Sequence, residues 1–144
     1  MLAKLPSTLK CVRFVRDVLM IFDTDVLIWC FRGNERAGKA INDCDERRIS
    51  VVTLMELHQG ARNKSEQKAI GKFVRELDFR VLPIDENISH RASIYVEEFC
   101  LQASMLMADA LIAATAVEGG ESLCTANSKH YKALTELDLR RFKP

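Results

Sequence analysis

From Met20 onward the chain alternates short apolar runs with longer amphipathic segments. That alternation restricts it to an α/β fold with a mainly parallel sheet, because parallel neighbours need crossovers long enough to hold a helix. Met20-Ile21-Phe22 reads as a first strand ending at Asp23. Asp25 through Phe31 is apolar with helical potential and is stopped by Gly33, and Glu35 through Arg47 reads as a second helix. Ile49 to Val52 is a short β-branched strand, and Thr53 begins a helix that runs through Leu57 to the neighbourhood of Ala61. Ile70, Phe73, Val74 and Leu77 then recur at helical spacing, and Arg80 to Ile84 fits another strand.

After Asp85 the spacing of Ile88, Ala92, Tyr95, Val96 and Phe99 describes one long amphipathic helix. Met107 to Val117 is different, since Ala110-Leu-Ile-Ala-Ala114, Ala116 and Val117 leave almost no polar face. Such a helix belongs in the centre of the molecule, and Gly119-Gly120 ends it. Ser122 to Thr125 is the next strand, a short helix surrounds Lys129 to Leu134, and Leu139 to Phe142 forms a last edge strand. The Met105, Leu106, Met107 cluster reads as core packing.

With 144 residues, 48% of them apolar, the chain can bury one substantial core and is expected to form one domain over residues 20–144. Residues 1–19 carry scattered Lys and Arg without a continuous apolar stretch, and are expected to be an N-terminal extension from an upstream start rather than a signal peptide. No apolar run approaches the roughly 18 residues that span a bilayer, so no membrane role is expected. The formal net charge of +1 decides nothing about partners, because a basic patch and an acidic site can coexist. Five scattered cysteines without C-x-x-C spacing read as buried thiols of a reducing cytoplasm.

In an open parallel sheet, sites form beyond the carboxyl ends of the strands. Three strand ends carry polar residues: Asp23 and Asp25, Thr53 and Glu56, and Thr125 and Asn127. Asp109 is the most informative, because a carboxylate at the start of an apolar helix is costly to bury without a cation or a helix N-terminus. Each has a plainer reading. Asp25 suits a helix start and is taken as mainly structural, Thr53-Leu-Met-Glu56 is a literal capping box, and Asp109 complements its own helix dipole. His58, His90 and His130 share no ligand spacing and read as surface or structural residues.

Met20-Ile-Phe-Asp23-Thr-Asp25-Val-Leu-Ile28 resembles the opening of PIN domains. Ser50-Val-Val-Thr-Leu-Met-Glu56-Leu-His-Gln-Gly60 is similar to their second acidic motif, Ala108-Asp109-Ala-Leu-Ile-Ala-Ala-Thr-Ala116 to their third, and Leu123-Cys-Thr125-Ala-Asn127-Ser-Lys-His130-Tyr131 to their last. The second and third look most like VapC-type toxins of toxin–antitoxin pairs. The resemblance implies a three-layer α/β/α sandwich and a cytoplasmic Mg²⁺-dependent endoribonuclease, with Mn²⁺ able to substitute. Asp23 and Asp109 would be direct metal ligands and Glu56 a direct or water-mediated one, with Thr24, Thr125 and Asn127 positioning waters or ligands. Arg32, Arg62, Lys64 and Lys129 would meet RNA phosphates. A homodimer and a small antitoxin partner are implied as well. In one departure, Asn127 stands where many PIN domains carry a fourth carboxylate, which puts a second metal in doubt. The alternatives are a catalytically impaired PIN-fold interaction module and a haloacid-dehalogenase-like phosphatase using Asp23 and Asp25 as its D-x-D pair.

Overall fold

The computed structural model describes residues 19–144, so the expected N-terminal extension lies outside the described residues apart from Leu19. Five strands form one all-parallel sheet: β1 Met20–Phe22, β2 Arg47–Ser50, β3 Arg80–Leu82, β4 Ser122–Thr125 and β5 Leu139–Arg141, in the order β3-β2-β1-β4-β5. Six helices connect them: α1 Thr24–Phe31, α2 Glu35–Asn42, α3 Val51–Gln59, α4 Lys64–Glu76, α5 Glu86–Ala103 and α6 Met107–Gly119. From β1 the chain builds outward through β2 to β3, then returns to place β4 on the other side of β1. The gap between the carboxyl ends of β1 and β4 is therefore the topological switch point, where open α/β sheets place their ligands.

The pleat explains the three layers. Successive strand residues point to opposite faces, so Ile21 and Leu123 enter one apolar cluster with α5, α6, Tyr131 and Leu134, while Phe22, Ile49 and Cys124 enter another with α1, α2 and α4. As its composition demands, α6 is central: Ala110, Ile112, Ala113, Ala114 and Ala116 are fully buried, and Gly120 in the left-handed region (φ +63°) ends the helix. Gly33 (φ +88°) follows α1 in the same way.

Several boundaries differ from the expectation, each for a local reason. Glu35 through Arg47 is not one helix. It stops at Asn42, and Arg47 begins β2 with its guanidinium donating to the carbonyls of Ile41, Cys44 and Leu77. Ser50, not Thr53, caps α3, accepting from Val52 N–H at 3.1 Å, so the β-branched Val51 and Val52 start a helix instead of ending a strand. Thr53 lies inside that helix, and the Thr53–Glu56 capping box does not form. The helix expected around Lys129 to Leu134 is a single 3₁₀ turn, Ser128–His130. Of the Met105, Leu106, Met107 cluster only Met105 is buried; Leu106 and Met107 frame the start of α6 and are 63% and 72% exposed. Cys30, Cys44, Cys100 and Cys124 are free thiols. Among the described residues, no helix is long and apolar enough to cross a membrane.

Candidate active site

Two strands pass directly into helices at the carboxyl edge of the sheet, and this places the acids. Asp23 follows β1 and is the N-cap of α1: its Oδ1 accepts from Thr24 N–H at 2.8 Å, while its own N–H donates to the Cys124 carbonyl at 2.9 Å. Its Oδ2 accepts from the Thr125 hydroxyl at 2.8 Å, across the switch point, and from the Tyr131 hydroxyl at 3.0 Å. Glu56 stands on α3, half-buried, where its Oε1 accepts from the Thr24 hydroxyl at 2.7 Å; the same Thr24 oxygen lies 3.1 Å from Thr53 Oγ1.

Asp109 reaches the pocket from the first turn of α6. Its Oδ2 accepts from Leu106 N–H at 3.1 Å, so it does complement its helix N-terminus. The rest of the carboxylate faces the other acids, with Oδ1 3.5 Å from the Tyr131 hydroxyl and Oδ2 2.9 Å from His130 Nδ1. The helix-start role of Asp109 thus leaves its carboxylate within reach of Tyr131 and His130. One continuous array runs from Glu56 through Thr24, Asp23, Tyr131 and Asp109 to His130, whose Nε2 lies 3.3 Å from Asn127 Nδ2.

Of the predicted residues, the structure gathers Asp23, Glu56 and Asp109 with Thr24 and Thr125, and attaches Asn127 at the rim through His130. The basic residues are spread out. Lys129 is exposed beside His130. Arg32 caps the far end of α1, about 12 Å along the helix from Thr24. Arg62 is paired with Glu66, its guanidinium 2.6 Å from the carboxylate, and Lys64 is exposed at the start of α4. Sequence reasoning missed Tyr131 and set His130 aside as surface or structural. The signal for both was their place three and four residues beyond Asn127, in the segment that follows β4.

Burial, then the charge of nearby Asp25, pushes the Asp23 carboxyl up to about 7, against the opposing hydrogen bonds from Thr125, Thr24 N–H and Tyr131. Burial also raises Asp25 and holds the Tyr131 phenol far above its ordinary value, so Tyr131 stays a donor. Among the described residues, no Lys or Arg forms an ion pair with Asp23, Asp25, Glu56 or Asp109. The pocket thus concentrates carboxyl oxygens without a Lys or Arg partner among the described residues, and the basic side chain against them is His130, 2.9 Å from Asp109. Its all-oxygen donors fit a hard divalent ion such as Mg²⁺. Among the described residues no three His, Cys, Asp or Glu side chains form a ready ligand cage, and Mg²⁺, which retains several waters and meets part of its carboxylates through them, does not require one.

A family model described as the PIN domain matches residues 20–134. No curated protein matches the chain. Among solved structures, a toxin–antitoxin complex from Klebsiella pneumoniae is 28% identical, with a TM-score of 0.68 over 82% of this chain and 94% of that one. DNA-bound VapBC from Salmonella typhimurium is 20% identical, with a TM-score of 0.72 over 86% and 98%. VapBC-1 from nontypeable Haemophilus influenzae is 21% identical, with a TM-score of 0.71 over 85% and 96%.

Proposed function

The chain belongs to the PIN domain family, and from that premise we propose that it is a metal-dependent endoribonuclease, the toxin of a toxin–antitoxin pair. The observation that carries this reading is the array joining Asp23, Glu56 and Asp109 at the switch point, with no Lys or Arg paired to it among the described residues. Family membership takes the place of the phosphatase alternative.

Asp23 and Asp109 would hold Mg²⁺ or Mn²⁺, with Glu56 as a direct or water-mediated ligand. When bound, such an ion makes a water more acidic and stabilises charge developing on phosphoryl oxygens. The chain's own residues fix the frame. Thr24 sets the rotamer of Glu56, Thr125 and Tyr131 direct Asp23, and Leu106 N–H with His130 orients Asp109. Lys129, exposed beside the pocket, is the best placed of the basic residues to meet a phosphate, and Arg32, Arg62 and Lys64 would contact more distant parts of an RNA. Single-stranded or looped RNA suits a site that must reach the backbone between unstacked bases.

The similarity to complexes of toxins with antitoxins supports a small antitoxin as partner. Exposed apolar side chains are available for protein contacts, with Trp29 and Phe31 on α1 and Leu101, Leu106 and Met107 where α5 meets α6. A homodimer and a cytoplasmic location complete the proposal. Purified protein should cleave an RNA pool with Mg²⁺ or Mn²⁺ and stop with EDTA, and Asp109→Asn should remove cleavage while the melting curve stays cooperative. Cleavage that continues in EDTA overturns the metal mechanism, and an intact fold that never cleaves identifies an interaction module.

A further inference from the structure

The pocket contains a fourth carboxylate. Asp25, on the first turn of α1, turns toward the segment that follows β4: its Oδ2 accepts from Ala126 N–H at 3.0 Å and lies 3.4 Å from the Thr125 hydroxyl. That hydroxyl is only 2.8 Å from Asp23 Oδ2, and it has a single proton to give. Asp23 takes it, so Asp25 is supported chiefly by backbone N–H groups, that of Ala126 first and then those of Val26 and Asn127. The other oxygen, Oδ1, is buried and has no hydrogen-bond partner among the described residues.

A residue serving only the dipole of α1 has no need of this position. An acid in the first turn complements the helix equally well from solvent, without the cost of desolvating an unpartnered oxygen. Nor does a neighbouring positive charge explain it, because no Lys or Arg among the described residues pairs with Asp25. What surrounds Asp25 is Asp23, the Thr125 hydroxyl, the backbone after β4 and the N–H of Val26 on its own helix, and none of these satisfies Oδ1. Asn127, two residues beyond Thr125, is neutral and has its amide turned to His130.

Resting on the ribonuclease reading above, we propose that Asp25 is the fourth carboxylate of the metal site, with its buried Oδ1 an additional oxygen donor to the divalent cation. The negative charge after β4 that Asn127 cannot supply comes instead from the start of α1, held there by Ala126 N–H.

The test is Mn²⁺ binding to the full chain without RNA, read from the paramagnetic resonance signal of free Mn²⁺, beside thermal melts in EDTA. Asp25→Asn should weaken binding by roughly tenfold or more, since a neutral amide holds a divalent cation poorly. Its melting temperature in EDTA should equal or exceed the parent's, because repulsion with Asp23 is relieved. Asp25→Ser carries the same binding forecast, should the Asn variant fail to fold. Affinity within about threefold of the parent in a folded variant overturns the proposal. Asp109→Asn separates it from the reading beneath it: a folded parent that binds no Mn²⁺ removes the metal site altogether, whereas loss in Asp109→Asn but not in Asp25→Asn removes only the role of Asp25.

Discussion

The Thr24 hydroxyl donates to Glu56 Oε1 across 2.7 Å, tying the first residue of α1 to the middle of α3. Glu56 is therefore held by a neighbouring element rather than by its own helix start, and Thr24, whose N–H donates to Asp23, links the two acids. Its charge has no structural partner to satisfy, since a neutral acceptor would serve Thr24 equally well.

Glu56→Gln should accordingly keep a near-parental melting temperature in EDTA, because the amide oxygen still accepts from Thr24. Mg²⁺-dependent cleavage should fall by about a hundredfold, the scale on which second-partner and ligand losses act at metal sites. A Mg²⁺ titration in which Glu56→Gln matches the parent at every concentration would remove Glu56 from the site.

Thr24→Val keeps the shape and removes the donor. It should cost about 1 kcal/mol of stability and reduce cleavage less than Glu56→Gln does, because the Glu56 carboxylate remains but is no longer held. Equal or greater loss in Thr24→Val would mean that the hydroxyl has a role beyond orienting Glu56.

A third expectation lies away from the site. Glu121, just before β4, has a side chain only 2% exposed, with Oε1 2.6 Å from Arg48 Nη1 and Oε2 buried without a hydrogen-bond partner among the described residues. Arg48→Met should cost about 3 kcal/mol, because it strands a buried carboxylate. Replacing both residues with apolar ones should recover most of it. Denaturant melts of the two variants decide this, and a single variant as stable as the parent contradicts it.

Much of this architecture is legible in the sequence. The apolar α6, the strand-end acids and Gly120 each follow from patterns that few other structures satisfy. What was not legible depended on tertiary burial. Val51 and Val52 favour a strand locally, yet they join a helix because Ser50 caps it and Val52 packs into the core beside α6. Tyr131 passes for one more core aromatic until its hydroxyl is found between Asp23 and Asp109. His130 shares no ligand spacing with another histidine, so only the fold brings it against Asp109. Asp25 reads as a helix-start residue, and its unpartnered oxygen appears only once Ala126 is seen to hold the other.

Tyr131 should show its role through pH. Its phenol stays protonated, so it donates to Asp23 whether that carboxyl is charged or neutral. A hydrogen bond to a charged acceptor contributes roughly 1.5–3 kcal/mol and one to a neutral acceptor about 1. Tyr131→Phe should therefore cost more at pH 8 than at pH 5 in metal-free buffer. Urea melts at the two pH values test it, and equal losses would show that the hydroxyl does not sense the charge on Asp23.

The same carboxyl governs the pH dependence of the metal-free protein. Asp23 is raised from 3.8 to about 7 in the folded state, chiefly by burial and then by the charge of Asp25. Between those values the folded chain holds a proton that the unfolded chain has released, so stability is fully present below about 4, falls as pH rises, and is lost by the time pH passes 7. For one group the slope is at most about 1.4 kcal/mol per pH unit. Asp25 and Glu121, both raised by burial, act in the same direction, whereas Glu66, held below its ordinary value by Arg62, acts only at lower pH. Chemical denaturation in EDTA should thus give a stability that declines from pH 4.5 to 7 and then levels. Asp23→Asn should flatten most of that decline, and saturating Mg²⁺ should oppose it, because the cation favours the ionised carboxylate that high pH supplies. A parental curve that rises over the same interval would show that Asp23 is ionised in the fold at ordinary acidity, with its charge already compensated by the hydroxyls of Thr125 and Tyr131.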